Sequence, residues 1–205
     1  MSQHSQEHSG RRRFLKLALG GGAAIGVTAA LPRLFAAIDT VGPTLRGSIH
    51  TQPGEVLLEV FGDDGRDLGP RRLPRLVLND TQWHQRLSLA AFAILRRGGT
   101  ERAFSGSHER PTVRGLYRCA GCATALYDDA TQFDSGTGWP SFWQPISRRN
   151  VIELGDASFG MLRTEIRCAC CEGHLGHVFD DGPPPTGLRY CMNSLALRFV
   201  ARTAA

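Results

Sequence analysis

The sequence predicts a mainly β fold made of two antiparallel sheets, with short helices at their N-terminal edge. Runs at 116–118, 161–166 and 194–199 alternate apolar with polar residues, and Gly, Pro and Asp separate them, which predicts strands with one buried face. Hydrophobic residues make up 41% of the 205-residue chain and charged residues 21%, a composition typical of a globular protein. The sequence contains no internal repeat and no parallel strand–helix–strand rhythm.

The N-terminal 37 residues have the pattern of a targeting segment. A cationic run, Arg11-Arg12-Arg13-Phe14-Leu15-Lys16, precedes an uncharged, glycine-rich stretch over 17–32. The run resembles a twin-arginine export signal, and the stretch is short for a bilayer span. We therefore expect export to a bacterial periplasm without stable membrane insertion; the alternative is an uncleaved hydrophobic anchor.

The net charge of the chain comes mostly from this leader. The sequence has 24 Lys and Arg against 19 Asp and Glu, for a net charge of +5. Residues 1–37 hold five of the cations and one of the acids, which leaves +1 on the remaining chain. The basic balance is thus no indication of nucleic acid binding, and we expect no nucleic acid partner.

The rest of the chain divides into an extended preamble, 38–78, and a main domain, 79–205. In the preamble, 56–61 predicts a strand, and 62–65 predicts a turn into a second short strand.

Two helices are predicted at the start of the main domain. Asn79-Asp80-Thr81 caps a helix that runs to about Leu87, and Ser88 caps another that ends at Arg97 before two glycines. The second helix is expected to bury an apolar side formed by Leu89, Phe92 and Ala93, with either Leu95 or the aliphatic stem of Arg97 as a further member.

Four of the six cysteines occur in two C-x₂-C pairs, Cys119/Cys122 and Cys168/Cys171. Each pair can form a tight knuckle, and two knuckles supply four thiolates for a closed tetrahedral zinc site with a structural role. Residues 123–167 separate the pairs, so one Zn²⁺ would join two hairpins that are distant in sequence. Disulfides are the alternative in an exported chain, although a bond within a C-x₂-C pair constrains very little of the fold.

Cys191 is the candidate reactive cysteine. Arg189 and Asn193 lie two residues to either side of it, so on a strand all three side chains share a face. A nearby guanidinium favours the thiolate and is expected to lower the pKa of Cys191. The alternative is a buried structural cysteine.

The segment after the second knuckle contains two closely spaced histidines, His174 and His177. We expect both imidazoles to face a common cavity as proton donors, with the unperturbed histidine pKa of about 6.5, and Asp181 to orient one of them. The His-x-x-His spacing also suits a metal, but four cysteines already saturate a tetrahedral ion.

An aromatic, glycine-containing stretch over 133–143 is the remaining distinctive feature. Trp139 lies between Gly138 and Pro140 and is the aromatic residue of this stretch most expected to face outward. Phe142 and Trp143 are compatible either with an apolar wall on a loop or with an ordinary aromatic core.

Taken together, these motifs resemble the B-type peptide-methionine (R)-S-oxide reductases. The resemblance runs from about 79 to 199 and comprises Cys119-x-x-Cys122, FDSGTGWPSFW, RTEIRCACCEGHLGHVFDDGP and TGLRYCMNS in family order. The segment TERAFSG over 100–106 matches the family as well.

The resemblance implies two antiparallel β-sheets, a structural zinc and reduction of oxidised methionine in proteins and peptides. It implies a nucleophile at Cys191, a methyl-binding Trp139, and a polar cluster at the sulfoxide formed by His174, His177, Asp181, Arg189 and Asn193. It also implies that Cys119, Cys122, Cys168 and Cys171 hold the zinc and that a thioredoxin-like protein supplies the reducing thiols.

The sequence departs from many family members at the position of a second, resolving cysteine, which is Thr137 here. Cys170 lies where the family usually has no cysteine, and it is either a bystander or an alternative resolving thiol. Two other functions stay open: a zinc-bound adaptor module and an enzyme remnant retained for metal buffering. An adaptor would need neither Cys191 nor His177.

Overall fold

The computed structural model describes residues 49–107, 110–157 and 162–203. The predicted leader and the first part of the preamble lie outside these ranges, so they stay predictions. Within the described ranges, no helix is both long enough and apolar enough to cross a membrane.

The described residues form strands and two short α-helices, in the order expected from the sequence. The helices are α1 (Asp80–Arg86) and α2 (Leu89–Arg97). The strands are β1 (Glu55–Phe61), β2 (Asp67–Pro74), β3 (Gly115–Cys119), β4 (Ala125–Asp128), β5 (Gln132–Phe133), β6 (Ser141–Phe142), β7 (Val151–Asp156), β8 (Arg163–Cys168), β9 (His174–Phe179), β10 (Arg189–Met192) and β11 (Leu197–Ala201).

All pairs of neighbouring strands are antiparallel. The main domain has a six-stranded sheet, β5-β6-β10-β9-β8-β7, and a three-stranded sheet, β11-β3-β4. The prediction of a mainly β fold with antiparallel sheets is confirmed. The preamble adds a separate hairpin, β1-β2, which forms a third sheet.

Both helices begin and end at the capping residues that the sequence indicates. The Asn79 side chain accepts a hydrogen bond from the Gln82 N–H, and the Gln82 side chain accepts one from the Asn79 N–H, which completes a capping box. The Ser88 hydroxyl accepts from the Ala91 N–H, and Gly98 ends α2 in the left-handed conformation at φ 67°. Local capping chemistry therefore fixes the bounds of these helices.

The buried side of α2 differs from the predicted one. Leu89 is 78% exposed and Ala93 is also exposed, whereas Phe92, Leu95 and Arg96 are buried. Arg96 tolerates burial because its guanidinium bonds backbone carbonyls and lies 4.6 Å from the centre of the Trp83 ring. The predicted face is therefore wrong at Leu89 and Ala93 and correct at Phe92 and Leu95. Apolar periodicity does not indicate a buried arginine.

The core contains a group of aromatic side chains from both main sheets. Tyr127 and Phe142 stack at 4.3 Å between ring centres, and Tyr117 meets Phe142 edge-on at 5.0 Å. From β10, Tyr190 and Met192 are buried in the same core. Because side chains alternate along a strand, this packing directs Cys191 to the opposite face of the sheet.

Candidate functional site

Cross-strand pairing places several polar residues in one row across the six-stranded sheet. Cys191 pairs with Ser141 of β6 on one side and with His177 of β9 on the other, and His177 pairs with Glu165 of β8. Directly paired residues in an antiparallel sheet project to the same face. Strand register therefore brings together residues that are up to fifty positions apart in the sequence.

The row opens into a small cavity of about 140 Å³. Four of the predicted site residues line it: Trp139, His177, Cys191 and Asn193. The other lining residues are Thr100, Arg163, Gly176, Phe179 and Met192. A space of this size can accept one amino-acid side chain of another molecule. An indole, a thiol and an imidazole are among the groups that line it.

Burial dominates the electrostatics of Cys191. It raises the pKa of the thiol above the ordinary cysteine value, while the charge of Arg189 and hydrogen bonds from Thr137, Ser141 and Arg189 act in the opposite direction. The predicted effect of Arg189 is present, but the expected lowered pKa was wrong because the loss of water around the sulfur outweighs it.

Arg189 is held by Asp181 through two hydrogen bonds. Its Nε and Nη2 donate to the two carboxylate oxygens at 2.8 and 2.9 Å, and its guanidinium lies 4.4 Å from the centre of the Phe179 ring. Asp181 was expected to orient an imidazole. The structure corrects this expectation, because the side chain of Asp181 instead orients the arginine that contacts Cys191.

Asp156, at the end of β7, orients the imidazole of His177. The His177 Nε2 lies 2.9 Å from the Asp156 carboxylate, which also accepts a hydrogen bond from Arg163 at 3.1 Å. Burial lowers the pKa of His177 from its usual value, although the bond with Asp156 acts to raise it. Burial and Asp156 therefore act in opposite directions on the pKa of this ring, and the effect of burial is the larger.

His174 is fully buried and does not line the cavity. Its Nδ1 lies 2.6 Å from Glu165, and its ring centre lies 5.4 Å from that of His177. Burial raises the pKa of Glu165, but hydrogen bonds from His174 and Arg167 outweigh this effect and lower it to about 2. The Nε2 of His174 is buried without a hydrogen-bond partner among the described residues. The two imidazoles are thus adjacent, but only His177 faces the cavity.

Glu101 connects the aromatic wall to the other side of the cavity. Its carbonyl accepts from the Trp139 indole N–H at 3.2 Å, and its N–H donates to the Asn193 side chain at 3.0 Å. Its carboxylate accepts from the Ser194 hydroxyl at 2.9 Å and from the N–H groups of Ser194 and Leu195. One residue therefore holds both Trp139 and Asn193 in position.

Sequence reasoning missed Asp156, Glu165 and Glu101 as site residues. Asp156 and Glu165 are buried acids on strands, and each has an imidazole or guanidinium partner that only the sheet register reveals. Glu101 lies in a segment that matches the family, which was the available signal.

A chain of hydroxyl groups borders Cys191 on the β6 side. The Ser135 hydroxyl lies 2.8 Å from those of Thr137 and Ser141, and Thr137 and Ser141 both act to lower the pKa of Cys191. Thr137, at the position of the resolving cysteine in many family members, is therefore a neighbour of Cys191.

The four predicted metal ligands form one cluster. The sulfur atoms of Cys119, Cys122, Cys168 and Cys171 all lie within 4.8 Å of one another, and two of the pairs are 3.7 and 3.4 Å apart. A tetrahedral zinc with Zn–S bonds of about 2.3 Å sets its sulfur atoms about 3.8 Å apart. The four sulfurs therefore fit a metal ion, and four thiolates are the donors that zinc accepts in structural sites.

The two knuckles have the same backbone geometry. In the first, the N–H of Ala123 donates to the Cys119 carbonyl at 2.9 Å; in the second, the N–H of Glu172 donates to the Cys168 carbonyl at 2.8 Å. Ala123 and Glu172 both adopt left-handed conformations, at φ 63° and 55°. The sulfur cluster therefore consists of two equivalent turns that face each other.

Cys170 lies beside the metal cluster. It lines a second cavity, of about 350 Å³, together with Cys122 and with residues of the β1-β2 hairpin. None of the residues that line the cavity of Cys191 lines this one.

The chain is similar to a known protein family and to several of its members. The family model of the SelR domain matches residues 87–201. A peptide methionine sulfoxide reductase MsrB of Pseudomonas aeruginosa (strain UCBPP-PA14) is 53% identical over 120 residues, which cover 58% of this chain and 91% of that protein. MsrB proteins of Agrobacterium fabrum (strain C58) and Bradyrhizobium diazoefficiens are 51% and 52% identical over 126 and 124 residues, covering 62% and 60% of this chain and 93% and 89% of theirs.

Proposed function

This chain belongs to the SelR domain family and is a peptide methionine sulfoxide reductase of the MsrB type, and we propose that it reduces the (R)-S-oxide of methionine in peptides and proteins through Cys191. The observation that carries the proposal is the cavity that contains Trp139, His177 and Cys191 together. This activity repairs oxidised proteins, because it restores the apolar methionine side chain.

The reaction needs a nucleophile and a proton donor at the two ends of the S–O bond. The Cys191 thiol passes its proton to His177, its cross-strand neighbour, and the resulting thiolate attacks the sulfoxide sulfur while the imidazolium gives the proton to the oxygen. The hydroxyl group then moves from the substrate sulfur to Cys191 while the bond between the two sulfurs breaks, so that the products are methionine and the cysteine sulfenic acid. Arg189 favours the attacking thiolate, and Asp156 favours the charged imidazole.

Stereospecificity follows from the different walls of the cavity. The indole of Trp139 offers an apolar surface for the methyl group, and His177 and Asn193 offer hydrogen-bonding groups for the oxygen. The other epimer exchanges these two substituents, so its oxygen would face the indole and its methyl group would face the polar groups. We therefore expect the R epimer alone to react.

We assign zinc to the four-cysteine cluster, with a structural role. Cys119, Cys122, Cys168 and Cys171 would hold it and leave no position for substrate. When bound, the metal supplies folding energy by joining β3–β4 to β8–β9. The zinc takes no part in the proposed reaction, which involves Cys191 and the groups around it.

Recycling of the sulfenic acid is proposed to use an external thiol, supplied by a thioredoxin-like protein. Two features support this route: the neighbour of Cys191 at the usual resolving position is Thr137, and Cys170 lines a different cavity. The donor thiol attacks the Cys191 sulfenic acid, water leaves, and a second thiol of the donor then releases Cys191.

We further propose that residues 1–37 direct export by the twin-arginine route to the periplasm. The paired arginines and the uncharged stretch after them support this proposal. A route for folded proteins would also allow the metal site to be loaded before the thiols meet an oxidising compartment.

Turnover of separate R and S epimers of N-blocked methionine sulfoxide tests the function. The metal-loaded protein with a small dithiol is expected to reduce the R epimer alone, and Cys191→Ser is expected to lose this activity. Cys170→Ser is the matched control and should retain it. Failure of well-folded protein to reduce either epimer would contradict the proposal and favour the zinc adaptor.

A further inference from the structure

The described part of the preamble, residues 49–78, contacts the second knuckle of the metal cluster along its whole backbone turn. Three consecutive carbonyls of that turn each accept a hydrogen bond from the preamble: Ala169 from the Arg75 guanidinium at 3.1 Å, Cys170 from the Leu76 N–H at 3.2 Å, and Cys171 from the Thr51 hydroxyl at 2.5 Å. These donors precede the region that matches the SelR domain.

Arg75 also secures the residue that ends the knuckle. Glu172 has a left-handed backbone, which a residue with a side chain adopts only at a cost in free energy. Its carboxylate lies 2.6 Å from the Arg75 guanidinium, and the two side chains are 18% and 22% exposed. The equivalent residue of the first knuckle is Ala123, whose methyl side chain offers no such attachment.

The preamble contacts are anchored to α2 through Arg96. Its guanidinium donates to the carbonyls of Cys171, at 2.7 Å, and Ile49, and the Ile49 N–H donates to the Arg96 carbonyl at 2.8 Å. Ile49, Thr51 and Arg96 are buried. Hydrogen bonds in such a water-poor place are costly to break, because the freed groups gain no solvent partner.

The preamble supports the first knuckle indirectly, through Arg118, whose guanidinium donates to the Ala123 carbonyl at 3.2 Å and to the Phe61 carbonyl at 2.9 Å. The β1-β2 hairpin borders this knuckle across the cavity of about 350 Å³, and Cys122 is partly exposed there. The two otherwise equivalent turns therefore differ in their support from the N-terminal residues.

We propose that Thr51, Arg75 and Leu76 form a clamp that slows dissociation of the metal by keeping the second knuckle closed. Opening of the turn would draw the Cys168 and Cys171 thiolates away from the ion, and it also separates the carbonyls of 169–171 from their donors. The clamp gives a function to a preamble that lies outside the family match. It rests on the proposed zinc site.

Zinc release from the full chain tests the clamp. The rate of release is measured with a chromogenic chelator in excess, for the wild type, for Arg75→Gln and for the double variant Thr51→Val/Arg75→Gln. Arg72→Gln, on the exposed strand β2, is the control that loses the same charge three residues before Arg75. Zinc content by elemental analysis and turnover of the R epimer establish that each variant is loaded and folded.

We expect about tenfold faster release from the double variant, an intermediate rate from Arg75→Gln and the wild-type rate from Arg72→Gln. Equal release rates in all loaded variants would overturn the clamp and leave the proposed function intact. A wild-type protein that reduces the R epimer but contains no zinc would overturn the clamp together with the zinc assignment, and not the activity. If the double variant does not bind zinc, the single variant Arg75→Gln decides the test. Zinc release from it at the wild-type rate would overturn the clamp.

Discussion

The four-cysteine cluster and the cavity of Cys191 both depend on cysteine sulfur atoms, but the groups that surround those sulfur atoms differ. In the cluster, four cysteines face one another, and backbone hydrogen bonds within each turn fix their positions. The sulfur of Cys191 is instead influenced by the guanidinium of Arg189, on the same strand, and by the hydroxyl side chains of Thr137 and Ser141 from another segment. The backbone thus fixes the four sulfurs that we propose hold zinc, and side chains adjust the pKa of the sulfur that we propose reacts.

This difference explains why the two sites respond differently to substitution. A cluster cysteine can be replaced only at the cost of the metal, because each ligand contributes to the same ion. The pKa of Cys191 depends on burial and on several neighbouring groups that act in opposite directions. Loss of one of these groups therefore changes the reactivity of Cys191 by a limited factor. Two substitutions, one in each region, separate these behaviours.

The larger effect is expected in the cluster. Cys168→Ser removes one of the four metal ligands, and we expect loss of bound zinc and a fall of several kcal/mol in the free energy of unfolding, because the metal joins two distant hairpins. Zinc analysis and thermal unfolding measure both quantities. Cys170→Ser, two residues away, should keep the zinc and the wild-type transition. A Cys168→Ser protein with full zinc content would contradict the assignment of the cluster.

A smaller effect is expected from Arg189→Gln. Arg189 favours the thiolate, so its loss raises the pKa of Cys191 further above the ordinary value. Because only the thiolate reacts, alkylation of Cys191 at neutral pH should slow about tenfold for each unit of increase, and the midpoint of its pH dependence should move to higher pH. Mass spectrometry of the Cys191 peptide after iodoacetamide treatment follows the reaction.

The control for this experiment is Arg198→Gln, which removes an exposed arginine from β11, in the other sheet of the main domain. Its alkylation profile should match the wild type. A midpoint that stays in place in Arg189→Gln, or moves to lower pH, would show that the guanidinium does not stabilise the thiolate.

Features that depend on neighbouring residues could be predicted from the sequence. The caps of α1 and α2 and the two C-x₂-C knuckles are set by residues within a few positions, and the structure has them where the sequence indicates. The alternation of the strands likewise predicted the antiparallel sheets.

Features that depend on strand register could not be predicted in the same way. Asp181 was expected beside an imidazole, but Asp156 and Glu165 hold the imidazoles because the pairing of β7, β8 and β9 brings them there. The raised pKa of Cys191 depends on burial, which the polar residues around it in the sequence do not reveal. The burial of Arg96 depends on carbonyls from two distant segments.

The division between structural and reactive cysteines is tested most directly by mapping oxidation after a single turnover. The zinc-loaded protein is mixed with one equivalent of the R epimer, without reductant, and a sulfenic acid trap is added before digestion and mass spectrometry. The account predicts trapped sulfenic acid on Cys191 alone, with one zinc retained. A disulfide between Cys170 and Cys191, or oxidation of the cluster cysteines with loss of zinc, would contradict it.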